Sequence, residues 1–82
     1  MITKINNIIS LLKNYDGIII KYTYYDMITK EMKNHITIND RKTQYLYAII
    51  DTYTFEQLLN QDIIMFGCEM GININAYILN NN

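Results

Sequence analysis

Hydrophobic spacing changes period twice along this chain, and that limits the folds open to it. Ile2, Ile5, Ile8, Ile9 and Leu12 recur at the i, i+3, i+4, i+7 spacing of a helix that buries one stripe, with Asn6, Asn7, Ser10, Lys13 and Asn14 opposite. From residue 18 to residue 50 the rhythm becomes the two-residue alternation of strands. From Phe55 onward the helical spacing returns. A chain of 82 residues has room for one core. The expected class is therefore α+β, one domain over 1–82, in the order α-β-β-β-α-β.

The first helix is expected over 2–14, stopped by Asp16-Gly17 with the glycine in a left-handed cap. Residues 18–25 are rich in β-branched and aromatic types and read as a strand. Ile18, Ile20, Tyr22 and Tyr24 share one side, and Ile19, Lys21, Thr23 and Tyr25 the other. The loop Asp26–Lys30 reverses the chain. In 31–38, Met32, Ile36 and Ile38 oppose Glu31, Lys33, His35 and Thr37. Asn39-Asp40-Arg41-Lys42 is a polar turn. Residues 43–50 form a third strand, with Leu46, Ala48 and Ile50 opposite Tyr45, Tyr47 and Ile49. Short connections make these three an antiparallel meander.

The second helix is expected to start at Thr54 as N-cap, with Gln57 completing a capping box and Tyr53 and Leu58 a hydrophobic staple. Phe55, Leu58, Leu59, Ile63 and Phe66 share a face, and Gly67 or Gly71 ends it. The alternating tail 72–78 reads as a last strand, and Asn80-Asn81-Asn82 is expected to fray. Both helices need a sheet face to cover. Ile18, Ile20, Tyr22, Ile36, Ile38, Leu46, Ala48 and Ile50 are its expected core side.

Charge and cysteine content narrow the function classes. Seven Lys and Arg face eight Asp and Glu, a formal charge of −1. That lacks the basic excess of a phosphate binder and the acidity of a nucleic-acid mimic. The single cysteine, Cys68, forms no internal disulfide and no multi-cysteine zinc site, and a reducing compartment suits it. No signal peptide or transmembrane run is legible. His35 is the only histidine and falls on the polar side of its strand. Catalysis needs several convergent groups, so a rim position fits it better. Cys68 follows Gly67 near an expected helix C-terminus and beside Glu69, where a thiolate is disfavoured. Binding, without enzyme activity, cofactor or metal, is the expected role.

Tyrosine is the informative residue. The pattern places Tyr25, Tyr45 and Tyr47 on the sheet face away from the helices, among Lys21, Lys33, His35 and Thr37. Tyrosine gives large contact area at low entropic cost, so such a patch suits a macromolecular partner; tyrosines are also simply good residues for an exposed strand. Single-stranded RNA is one option, through stacking and the two lysines. The α-β-β-β-α order also resembles the double-stranded RNA-binding domain. That family has a basic cluster at the start of its second helix, where this chain reads Thr54-Phe55-Glu56-Gln57-Leu58. A protein partner fits better: Asp16, Asp26, Asp40, Asp51, Asp62 and Glu69 supply a polar rim to an aromatic centre.

The chain holds 17 Ile, 11 Asn and 8 Tyr but no Pro or Trp, a bias of AT-rich genomes. In length, in this bias and in element order over residues 2–66, it resembles small proteins of phages and mobile elements, especially anti-CRISPR inhibitors. One such inhibitor of a CRISPR effector nuclease shares the leading helix, three strands and following helix, and is much more acidic. The resemblance implies a stoichiometric inhibitor in the bacterial host cytoplasm that blocks nucleic-acid binding or cleavage. Three other readings stay open. They are a regulator or structural subunit that dimerises through the sheet or the edge strand at 72–79, an RNA-binding module, and an enzyme with a carboxylate-only site.

Overall fold

The computed structural model describes residues 5–81. Helix α1 covers Ile5–Asn14, strand β1 Gly17–Asp26, β2 Glu31–Asp40 and β3 Leu46–Ile50; helix α2 covers Thr52–Asn60, β4 Ile64–Gly71 and β5 Ile74–Leu79. The expected α+β class holds. The strands form one sheet in the order β3-β2-β1-β5-β4 with every neighbouring pair antiparallel. The closing strand β5 inserts beside β1, so the first strand becomes the centre of the sheet. Ile2 of the first helical stripe lies outside the described residues.

Space, more than alternation, decides which side of β1 faces the helices. A Cβ on Gly17 would lie 2.8 Å from the carbonyl oxygen of Leu11. Only glycine lets α1 sit this close to the start of the strand. Gly17 and the odd-numbered residues after it therefore point to the helices. Ile19 pairs with Ile38 and Tyr77 on that side. The core unites Ile8 and Leu12 of α1, Phe55 and Leu58 of α2, and Ile19, Ile36, Ile38, Ile50 and Ile64 of the sheet. Burying each such side chain contributes about 1.5–3 kcal/mol. Ile36, Ile38, Ala48 and Ile50 are where the alternation placed them. Ile18, Ile20 and Tyr22 are on the opposite, outer face.

Leu46 is on the outer face too. The pairing of β2 with β3 slips between Ile38–Ala48 and Asn39–Leu46, which leaves Tyr47 as an extra residue. A bulge of this kind reverses the facing of everything before it. Tyr47 swings toward the helices, where its hydroxyl lies 2.9 Å from the carbonyl oxygen of Tyr15 and 2.8 Å from the Asp40 carboxylate.

The ends of both helices depart from expectation. Asp16, not Gly17, takes the left-handed conformation after α1, at φ 54°. Asp51, not Thr54, caps α2, its carboxylate accepting from the Thr54 N–H at 3.2 Å. The helix closes at Asn60 and does not reach Phe66. Asp62 is left-handed at φ 57°, Ile63 N–H donates to Leu58 O at 2.9 Å, and Asp62 N–H donates to Leu59 O at 3.0 Å. That is a Schellman stop with aspartate where glycine is usual. Gly67 and Gly71 belong to β4. The run Ile63-Ile64-Met65-Phe66 satisfies a helical spacing only by being apolar throughout. Two bulges interrupt β4, where Gly67 and Met70 have no partner in β5. The chain end does not fray at Asn80. Its N–H donates to Ile63 O at 2.8 Å and its side-chain amide to Asp62 O at 3.1 Å. Among the described residues no helix is long and apolar enough to cross a membrane.

Candidate functional site

The residues expected to make a binding patch do not share one surface. Lys33 and His35 are on the outer face, opposite Tyr24 and Tyr22 of β1. Lys21 is on the helix side, its ammonium 5.0 Å from the centroid of the Phe55 ring. It covers the core with a cation–π contact. Tyr25 points to the same side as Lys21, but on a stretch beyond the helices, and is exposed. Tyr47 is half-buried at the foot of α1. Tyr45 is exposed beside it, with ring centroids 5.7 Å apart and planes at 67°. The triad Tyr25, Tyr45 and Tyr47 is thus split by the facing of β1 and by the β3 bulge. Among the described residues no three His, Cys, Asp or Glu side chains gather in a group able to hold a metal ion. Cys68 is an exposed residue of β4, not one near a helix C-terminus.

Two other surfaces replace the expected patch. The first is the outer sheet face, which neither helix covers. Ile49, Thr37, Ile20, Ala76 and Cys68 form one row across all five strands. Beside it run Tyr22 with His35 and Ile74 on one side, and Ile18, Asn39 and Leu46 on the other. Tyr22 and Tyr24 stack, with centroids 5.5 Å apart and planes at 16°.

The second surface is the tip of the β1–β2 hairpin. β5 pairs with β1 only over Ile19–Tyr22, and β3 with β2 only over Ile36–Asn39. Beyond a last hydrogen bond from Thr23 N–H to Asn73 O, Tyr24–Asp26 and Glu31–Lys33 therefore stand clear as a two-stranded arm. It is held by the tyrosine stack, by a Thr23–Asn34 hydrogen bond of 2.9 Å and by a Lys33–Asp26 ion pair of 2.9 Å. At its end Asp26 organises the turn. Its carboxylate accepts from Ile28 and Thr29 N–H at 2.8 and 3.2 Å, its carbonyl accepts from Lys30 N–H at 2.7 Å, and Lys30 is left-handed at φ 59°.

The β2–β3 loop repeats this construction. Asp40 accepts from Lys42 and Thr43 N–H at 2.9 and 2.8 Å, its carbonyl accepts from Gln44 N–H at 2.9 Å, and Gln44 is left-handed at φ 65°. One loop serves as the control for the other. The two residues after Asp40 are Arg41 and Lys42, as a solvated turn should have. The two after Asp26 are Met27 and Ile28, 77% and 93% exposed. Exposed Ile72, in the turn between β4 and β5, lies at the same end of the sheet, since Asn73 O accepts from Thr23 N–H at 3.0 Å. Charge at the tip cancels: Asp26 is paired with Lys33, and Lys30 precedes Glu31. The repeated Asp-x-x-x spacing, with an apolar pair in only one copy, was the sequence signal for this surface.

Both turn aspartates are more acidic than usual. Lys33 first, then the Ile28 and Thr29 N–H groups, hold the Asp26 carboxyl at about 2. Thr43 N–H, then the Tyr47 hydroxyl and Lys42 N–H, hold Asp40 at about 2. Asp51 is lowered by the Thr54 hydroxyl and N–H. In the unfolded chain these groups titrate near 3.8. Folding therefore releases protons in the interval between, and the stability these carboxylates contribute is complete above about pH 5 and is lost as pH falls through about 2. Urea midpoints should agree at about pH 7 and pH 5.5 and drop at about pH 2.5. Equal midpoints at all three would contradict this account of the turns.

Comparison with protein-family models, with curated proteins and with solved structures finds no match for this chain.

Proposed function

We propose that this chain is a non-catalytic inhibitor that docks on a protein through the β1–β2 hairpin tip, and that its target is a CRISPR effector nuclease of a bacterial host. One observation carries the docking part. Two turns of the same construction occur in one chain, and only one presents apolar side chains to solvent. Hydrogen bonds to Asp26 already fix the turn, so little ordering entropy opposes insertion of Met27 and Ile28 into an apolar pocket. The near-neutral charge of the tip favours such a pocket over a polyanion. Resemblance to small anti-CRISPR proteins, in length, composition and element order, supports the choice of target. Inhibition then follows from occlusion, by which the bound arm and sheet block nucleic-acid binding or cleavage.

The chain's own second turn supplies the test. Replacing Met27→Arg and Ile28→Lys copies the residues at Arg41 and Lys42 onto the first turn, so folding should be unchanged. Two central anchors at about 2 kcal/mol each, taken together, correspond to a loss of roughly 700-fold in affinity. The native chain, titrated into guide-loaded CRISPR effector nucleases, should stop cleavage at one inhibitor per effector. The double variant should fail at the same concentration while keeping the native thermal midpoint. A native chain that leaves every effector active, even in large excess, rules out the target. Equal inhibition by the variant rules out the tip.

A further inference from the structure

The outer sheet face requires a separate explanation, because the tip does not use it. We infer that a second copy of this chain covers that face, so that two sheets stack with their helices outward. This does not rest on the inhibitor reading.

Surface area gives the first reason. A compact monomer of this mass should expose about 5,200 Å², whereas this chain of 9.8 kDa exposes 5756 Å². On the outer face Tyr22, Leu46, Ile49 and Met65 are each between 42% and 48% exposed. Taking about 200 Å² for a large side chain, these four alone offer roughly 350 Å². Ile18, Ile20, Tyr24, Ile74 and Ile78 are each partly exposed beside them. With the polar margin of Lys33, His35 and Asn39, the face approaches the roughly 800 Å² per partner of a standard stable interface.

Charge gives the second reason. In a two-fold dimer each patch meets its own copy, so a net charge on the patch repels itself. Here the one lysine, Lys33, is neutralised by Asp26 at 2.9 Å, and no carboxylate enters the central rows.

Two aligned sheets that stack face to face pack about 10 Å apart.

Sedimentation equilibrium of the native chain, from about 10 to 500 μM, tests this. A species of twice 9.8 kDa is expected. Ile49→Lys and, separately, Tyr22→Lys should each yield monomers, because each places two buried charges across the axis. Their far-ultraviolet circular dichroism should stay native, since both positions are half exposed. The Met27→Arg, Ile28→Lys variant should remain dimeric. A native chain that is monomeric throughout the range overturns the inference. So does a dimer that survives both lysine variants, since it must form elsewhere, such as along β4. A native chain that dimerises yet leaves every effector active would overturn the target reading and leave this one standing.

Discussion

Replacing Phe55 with alanine is expected to cost about 3–5 kcal/mol and to leave the chain largely unfolded. The ring is fully buried and meets the edge of Tyr77 with centroids 4.9 Å apart and planes at 80°. Lys21 sits over it at 5.0 Å. It is the largest of the fully buried side chains and joins α2 to the sheet. A domain of this size has only a few kcal/mol in hand. Urea titration followed by circular dichroism should show little folded protein without denaturant. A loss under about 1.5 kcal/mol would mean that the α2 contact is dispensable. Lys21→Met, which removes the charge and keeps the stem, should cost under about 1 kcal/mol, because the cation–π term is small beside burial of the ring.

The second large effect is expected at Gly17. Alanine there brings Cβ to 2.8 Å from Leu11 O and 3.2 Å from Ile38 Cγ2. The first is backbone and cannot move aside without displacing α1. Overpacking of this kind costs about 1–3 kcal/mol, at the upper end where the neighbour is rigid. Gly71 is the internal comparison. Its added Cβ would meet Ile74 Cδ1 at 3.3 Å, the end of a flexible side chain. Gly71→Ala should therefore lie within about 0.5 kcal/mol of the native chain. If both variants melt together, close approach of α1 is not what places glycine at 17.

The same glycine explains why the fold was more legible than the surface. Element types and order through α2 followed from the change of period, and the two aspartate turns from their composition. The facing of β1 did not, because Ile18, Ile19 and Ile20 satisfy either side equally. Proximity of Leu11 to Gly17, a tertiary fact, decides it. Tyr47 was misplaced for a similar reason: a one-residue bulge carries no compositional mark, yet reverses a strand's facing. The end of α2 was hidden because a fully apolar run fits both periods. Of the expected patch, Lys33, His35 and Thr37 kept their face. Met27 and Ile28 were overlooked because loop residues were read as connectors, though the Asp40 turn showed what a connector in this chain contains.

The two interruptions in β4 have a consequence for handling the protein. A rim strand holding Met65, Phe66, Cys68 and Met70, with Glu69 as its only charge, would ordinarily recruit identical strands from other molecules into fibrils. Extra residues at Gly67 and Met70 spoil the even spacing of amide groups that such stacking requires. Concentrated solutions should accordingly stay free of thioflavin-positive aggregates, in spite of a composition rich in isoleucine and tyrosine.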